Sequence, residues 1–252
     1  AYGNVEDIED FLDQAEKAIF EVTDSKIRQS FANIKQIVAE NLQTLQSLAE
    51  KKENITGLAT GFRDLDEKTS GLHAGNLVII AGRPAMGKTS FAMNIAERAA
   101  IRTKSSVAIF SLEMAKEELG FRFLTGLAKI DASRLKVGKL QDRDWKALAK
   151  AAGQLGDAKI FIDDTPAITV LEMRSRCRRL VTEHGLNLII VDYLQLMRGN
   201  TRGGKGPQNR EGEISEISRS LKALAKELRV PVIALSQLNR GVESRPDKRP
   251  ML

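Results

Sequence analysis

The segment Gly82-Arg83-Pro84-Ala85-Met86-Gly87-Lys88-Thr89 has the spacing G-x-x-x-x-G-K-[ST] that a bound polyphosphate demands. Glycines let backbone N–H groups turn toward phosphate oxygens, the following helix offers its positive N-terminus, an amine at Lys88 neutralises the outer phosphates, and a hydroxyl at Thr89 reaches a metal ion. The cradle is therefore read as Gly82, Arg83, Pro84, Ala85, Met86, Gly87, Lys88, Thr89 and Ser90. Nucleotide chemistry also needs a carboxylate for Mg²⁺, and Asp192 closes the apolar run 188–191, at a strand's carboxyl end where α/β sheets bind ligands. Thr89 and Asp192 are the expected metal ligands. Asp163 and Asp164 follow another apolar run and form a rival pair, although Thr165-Pro166 directly after them reads as a solvated turn, with helix capping their ordinary use.

Phosphoanhydride hydrolysis further needs a group that orients or deprotonates the attacking water. Glu113, in Phe110-Ser111-Leu112-Glu113-Met114, stands just past the apolar run 107–110 and has the place of such a base. A surface or N-cap carboxylate ahead of a helix starting near Ala115 is the competing reading. Gln237, in Leu235-Ser236-Gln237-Leu238, ends a further run. A neutral amide there suits a hydrogen bond to a γ-phosphate or water, and equally a capping amide.

These residues need a frame to hold them. The runs 77–81, 107–110, 160–162, 188–191 and 232–235 are apolar and rich in β-branched residues, as strands buried on both faces are, and the amphipathic stretches between them supply crossovers for a mostly parallel sheet. One such helix is marked by Ile214, Ile217, Leu221, Leu224 and Leu228 before Pro231, and another by Phe91, Ile95 and Ala99. Upstream the texture differs. Val5, Ile8, Leu12, Ala15, Ile19 and Val22 form one helical stripe, and Ile27, Phe31, Ile34, Val38, Leu42 and Leu45 a second. No strand pattern accompanies them, so they pair with each other or lay their apolar faces on another subunit. The organisation expected is a helical segment over 1–54 and an α/β domain over 55–252, with a mobile basic loop at 199–208.

Composition narrows the class. At 252 residues, 42% hydrophobic and 29% charged, the chain has ordinary globular usage and enough length for a real core. One cysteine, Cys177, cannot form an internal disulfide, and two histidines without a nearby cysteine cannot build a usual zinc site. No apolar run approaches the roughly 18 residues of a membrane span, and a reducing, cytoplasmic setting is expected. The net charge of +6 hides a division: residues 1–54 carry 6 basic and 11 acidic side chains, whereas 55–252 carry 33 basic and 22 acidic. Such a basic excess permits a polyanionic partner without requiring one, although binding of single strands through phosphates would need it. Arg202, Lys205, Arg210 and Arg240, on loops following strands, are the candidate contacts, each with solvated surface charge as its plain alternative. Cys177 among Arg176, Arg178 and Arg179 reads as a small packing residue.

Thr60-Gly61-Phe62-Arg63-Asp64-Leu65-Asp66 leading to Ser70-Gly71-Leu72, the phosphate loop, Phe110-Ser111-Leu112-Glu113-Met114, Val191-Asp192-Tyr193-Leu194-Gln195-Leu196 and Leu235-Ser236-Gln237-Leu238 together resemble the successive motifs of DnaB-type replicative helicases. The resemblance covers the chain from about Thr56 onward and implies a RecA-like P-loop fold preceded by linker helices. It further implies a homo-hexameric ring assembled through the linker, ATP and Mg²⁺ between subunits, and 5′-to-3′ movement on single-stranded DNA, with a primase and a helicase loader as partners. On the same ground Glu113 matches the catalytic glutamate and Gln237 the γ-phosphate sensor, so the expected catalytic set is Lys88, Glu113 and Gln237. No segment of 1–252 is expected to supply the family's primase-binding domain, and its arginine finger and a further DNA loop are expected past Leu252. Another RecA-like ATPase, of strand-exchange or clock type, and a non-catalytic nucleotide-gated ring scaffold are the alternatives.

Overall fold

The computed structural model describes residues 33–51, 55–199, 210–239, 241 and 245. The chain divides into two compact units, Ala1–Glu53 and Asn54–Leu252. In the first, α1 spans Ile34–Lys51 and exposes Ile34, Ile37, Val38 and Leu42 along one stripe. The expected helix over 4–22 lies outside the described residues, as do residues 200–208 of the loop expected at 199–208.

The second unit runs α2 (Arg63–Thr69), β1 (Leu77–Gly82), α3 (Lys88–Arg102), β2 (Val107–Ser111), α4 (Lys116–Ala128), α5 (Ala132–Lys136), α6 (Asp142–Gly156), β3 (Ile160–Asp163), α7 (Val170–His184), β4 (Leu188–Asp192), a 3₁₀ turn (Leu194–Leu196), α8 (Arg210–Leu228) and β5 (Val232–Gln237). All five strands are parallel, in the order β1-β5-β4-β2-β3. Every strand therefore ends at the same edge of the sheet, and that edge carries the residues singled out above.

Alternation along the strands splits the core into two layers. Ala108, Phe110, Ile189, Val191, Val232 and Ala234 face α7 and α8, meeting Met173, Cys177, Ile217, Leu221 and Leu224. Val107, Ile109, Leu188, Ile190, Ile233 and Leu235 face the other way, onto Ala92, Ile95, Ala96 and Ala99 of α3 and Leu119 and Phe123 of α4. Each fully buried Leu or Ile in these layers contributes about 1.5–3 kcal/mol. Burial on both faces holds for β2 and β4 throughout and for β5 up to Leu235. It fails for β1 and β3, which are only partly buried, with Ile79 46% exposed. The reason is position: these are the outer strands of the sheet as described.

The motif at residues 60–66 is a fastening. Asp66 is buried, and its carboxylate accepts hydrogen bonds from Thr60 N–H (2.8 Å), Thr60 Oγ1 (2.8 Å) and Gly61 N–H (2.9 Å). Phe62 then lies against Phe91 of α3, with centroids 4.8 Å apart, and under the Arg98 guanidinium at 4.0 Å. The turn before α2 is thus secured to the helix that follows the phosphate loop.

Cys177 is wholly buried in the layer under α7. Burial, aided by the Asp163 charge, pushes its thiol up to about 12 from an ordinary 9.0. Because the folded value lies above the unfolded one, the stability from keeping this thiol neutral is whole below pH 9.0 and is lost as pH rises toward 12. We expect Cys177 to resist iodoacetamide at pH 8 in the folded chain and to alkylate fully in urea, followed by mass spectrometry.

Candidate functional site

The phosphate loop leaves β1 and enters α3 directly. Ala85 and Gly87 both take left-handed backbone conformations, with φ of 60° and 82°, turns of the kind from which a loop offers backbone N–H groups to an anion. Glycine at 82 serves a close approach instead: a Cβ there would meet Lys88 Cγ at 3.3 Å and Cδ at 3.4 Å, so its absence lets the lysine stem fold across the loop. Lys88 Nζ donates to Gly82 O (2.9 Å) and Arg83 O (3.2 Å), which aims the ammonium into the hollow the loop surrounds. Pro84, Ala85 and Met86 of the loop and Ser90 of α3 are all exposed.

The N-termini of α6 and α7 are closed by capping boxes, Gln141 with Asp144 and Thr169 with Glu172. At α3 the N-cap is Gly87, with no side-chain cap and no acidic residue in the first turn. Its leading N–H groups and positive dipole end face the loop, and an anion seated there is their natural partner.

Strand register assembles the rest. Gly82 is opposite Gln237, and Ser111 is opposite Asp192. The pairings extend past the strands through Leu238 N–H to Gly82 O (3.1 Å) and Leu112 N–H to Asp192 O (2.7 Å). Residues distant in sequence therefore stand side by side at one edge.

Thr89 Oγ1 donates to Asp192 Oδ2 at 2.7 Å, bringing a hydroxyl and a carboxylate together beside the loop. Burial pushes the Asp192 carboxyl above its ordinary range; the Thr89 hydroxyl opposes this, the Glu113 charge adds to it, and Lys88 and Arg122 oppose it. Hard oxygen donors drawn from a buried carboxylate and a hydroxyl fit Mg²⁺.

Glu113 is exposed in a tight turn after β2, which the Ser111 hydroxyl closes by donating to Met114 O (2.7 Å) and accepting from Met114 N–H (3.3 Å). Its charge acts on Asp192, so the turn brings it to the same site. The cap before α4 comes from elsewhere: Asp164 accepts Lys116 N–H at 3.2 Å and pairs with Lys116 Nζ at 3.5 Å. Asp163 accepts Thr165 N–H at 3.0 Å and pairs with Arg176. Both stand at the end of β3, the outer strand farthest from the phosphate loop.

Gln237 ends β5 with its side chain exposed. Gln195, which spacing marks only as part of a motif, holds the backbone of Gln237 from the 3₁₀ turn. Arg83 Nη1 donates to Leu238 O at 2.9 Å and ties the phosphate loop to the same segment. Neither link has a signature in local spacing, since each joins elements that only the fold brings together. Arg210 opens α8, its guanidinium bonded to the carbonyls of Gln195 and Met197 and paired with Glu213. Arg202, Lys205 and Arg240 lie outside the described residues.

Residues 57–252 match the family described as the DnaB-like helicase C terminal domain. The chain is 49% identical over 251 residues to the replicative DNA helicase DnaC of Bacillus subtilis (strain 168), covering 100% of this chain and 55% of that protein. The replicative DNA helicase DnaB of Geobacillus stearothermophilus gives the same identity and coverage. The chain spans about half the length of these curated relatives. Among solved structures, one described as an ATPase domain superposes with a TM-score of 0.80 at 37% identity, over 88% of this chain and 77% of that one. A DnaB-like replicative helicase, solved with attention to its interactions with primase, superposes with a TM-score of 0.75 at 35% identity, over 94% and 56%. No helix among the described residues is long and apolar enough to cross a membrane.

Proposed function

The chain belongs to the DnaB-like helicase C-terminal domain family, and on that premise we propose that it is the ATP-driven motor of a replicative DNA helicase. In this reading it works as a cytoplasmic homo-hexameric ring that moves 5′-to-3′ along single-stranded DNA. The observation that carries the reading is that Gly82, Gln237, Asp192 and Ser111 end β1, β5, β4 and β2, four neighbouring strands that all finish at the same edge of the sheet.

Lys88 and the amides of the loop bind the β- and γ-phosphates of ATP. Thr89 and Asp192 would hold Mg²⁺, which supplies positive charge against phosphate oxygens when bound. Glu113, held by the Ser111 turn, accepts a proton from the attacking water. Gln237 donates its amide hydrogen to the γ-phosphate and so distinguishes ATP from ADP.

The segment 1–54 serves as a helical linker, and the exposed stripe of α1 supplies an apolar face for a neighbouring subunit. Residues 55–252 form the motor. Arg202, Lys205 and Arg240 contact DNA phosphates, whereas the Arg210 guanidinium is engaged by the Gln195 carbonyl and by Glu213. Primase and loader are its protein partners, in keeping with the primase interactions described for a structural relative.

Phosphate release measured with and without oligothymidylate tests this. A motor releases phosphate faster with the strand present; equal rates would favour a nucleotide-gated scaffold. Strand exchange in place of forked-duplex unwinding would favour the strand-exchange class.

A further inference from the structure

We propose that Gln195 is a positioning residue for the γ-phosphate contact of Gln237, and that it joins the end of β5 to Arg210 and Glu213 at the start of α8. The inference rests on the reading of Gln237 given above.

The first support is a gap in strand pairing. β4 pairs with β5 only as far as Val191 opposite Ala234. Ser236 and Gln237 still pair with Ala81 and Gly82 on the β1 side, but on the β4 side no strand accompanies them. The Gln195 side chain takes that place. Its Oε1 accepts from Gln237 N–H at 3.2 Å, and its Nε2 donates to Gln237 O at 3.2 Å and to Ser236 Oγ at 3.0 Å. An amide is suited to this because it offers a donor and an acceptor together, as a neighbouring strand would.

The second support is that Gln195 is itself held. The 3₁₀ turn closes through Leu196 N–H to Tyr193 O at 3.0 Å, and Arg210 Nη2 donates to Gln195 O. The third is the far end of the link. Arg210 pairs with Glu213, and Glu213 Oε1 accepts Gly199 N–H at 2.9 Å. A Cβ at 199 would meet Glu213 Cγ at 2.9 Å, so a larger residue there would displace the Glu213 side chain. Residues 199 and 210 therefore converge on Glu213, and Arg210 carries the link on to Gln195 and so to Gln237. A phosphate contact demands placement within about half an ångström, and this link supplies it where the end of β5 outruns its neighbour β4.

Titration calorimetry with ADP and with a non-hydrolysable ATP analogue, on the parent chain, Gln195→Ala, Gln195→Glu and Gln237→Ala, tests the proposal, with thermal unfolding as the fold control. Gln195→Ala is expected to reduce the preference for the ATP analogue over ADP by about tenfold while leaving ADP affinity within about twofold. Gln195→Glu keeps an acceptor for Gln237 N–H but loses the donor, and should fall between. If Gln195→Ala is unfolded, Gln195→Glu carries the test by the same criteria. Equal losses for both nucleotides would mean a merely structural role and overturn the proposal. Preference lost in Gln237→Ala but retained in the Gln195 variants would overturn the positioning role alone. Preference retained in Gln237→Ala would overturn the reading of Gln237 and this inference with it.

Discussion

Lys88→Ala is expected to weaken ATP binding by about 10²–10³-fold, corresponding to about 3–4 kcal/mol at roughly 1.4 kcal/mol per tenfold. The ammonium is a charged group whose hydrogen bonds, to Gly82 O and Arg83 O, point it into the hollow of the loop. Alanine leaves the loop amides and the uncapped start of α3, which favour an anion but carry only partial charge. The fold should survive, because Gly82 O keeps its hydrogen bond from Leu238 N–H and β1 stays paired with β5. Titration calorimetry with an unfolding midpoint near that of the parent is the measurement. Normal ATP affinity in Lys88→Ala would remove the basis for the phosphate assignment.

Glu113→Ala separates binding from chemistry. The carboxylate sits beyond β2, in a turn closed by the Ser111 hydroxyl, and touches neither the phosphate loop nor the Thr89–Asp192 pair through any hydrogen bond among the described residues. ATP affinity should stay within about twofold, whereas single-turnover phosphate release should fall by about 10²–10⁴, the range for loss of a positioned general base. Glu113→Gln, which preserves shape, should lose nearly as much, since an amide cannot take the proton. Unchanged turnover in both variants would return Glu113 to the role of an ordinary surface carboxylate. The two variants differ in kind: Lys88→Ala loses the ligand, whereas Glu113→Ala holds it and stalls.

Much of the frame is legible from the chain. All five strands lie on the apolar β-branched runs, each observed strand extending one or two residues further toward its carboxyl end, where Gly82, Ser111, Asp163, Asp192 and Ser236-Gln237 belong to the pleat. The apolar runs stop short of those residues, which are polar or lack a side chain; they remain in the ladder because backbone pairing does not depend on side-chain type. The phosphate loop is legible because its requirements are local: left-handed turns, a lysine and a hydroxyl within one stretch of backbone. The choice between Asp192 and the Asp163–Asp164 pair is only half legible. All three follow apolar runs, and their difference lies in which strand stands near β1. The Thr60–Asp66 fastening is visible in the chain as a motif without a reason, which the three hydrogen bonds to the buried Asp66 provide. Cys177 is the reverse case. Its small size on an amphipathic helix indicates packing, and the buried, strongly raised thiol agrees.

Local sequence establishes what each piece is: strand or crossover helix, phosphate cradle, terminal carboxylate. These follow from periodicity and from backbone demands that act over a few residues. Which pieces meet is a property of the folded chain. The order β1-β5-β4-β2-β3 sets the last strand beside the first, so Gln237 lies against Gly82 and the carbonyl of Leu238 receives Arg83. Because β4 ends at Asp192 while β5 runs on to Gln237, the end of β5 has no strand on that side, the place that Gln195 fills. Strand order is settled by how two apolar layers close over both faces of the sheet, a packing condition on the whole chain that no local spacing encodes.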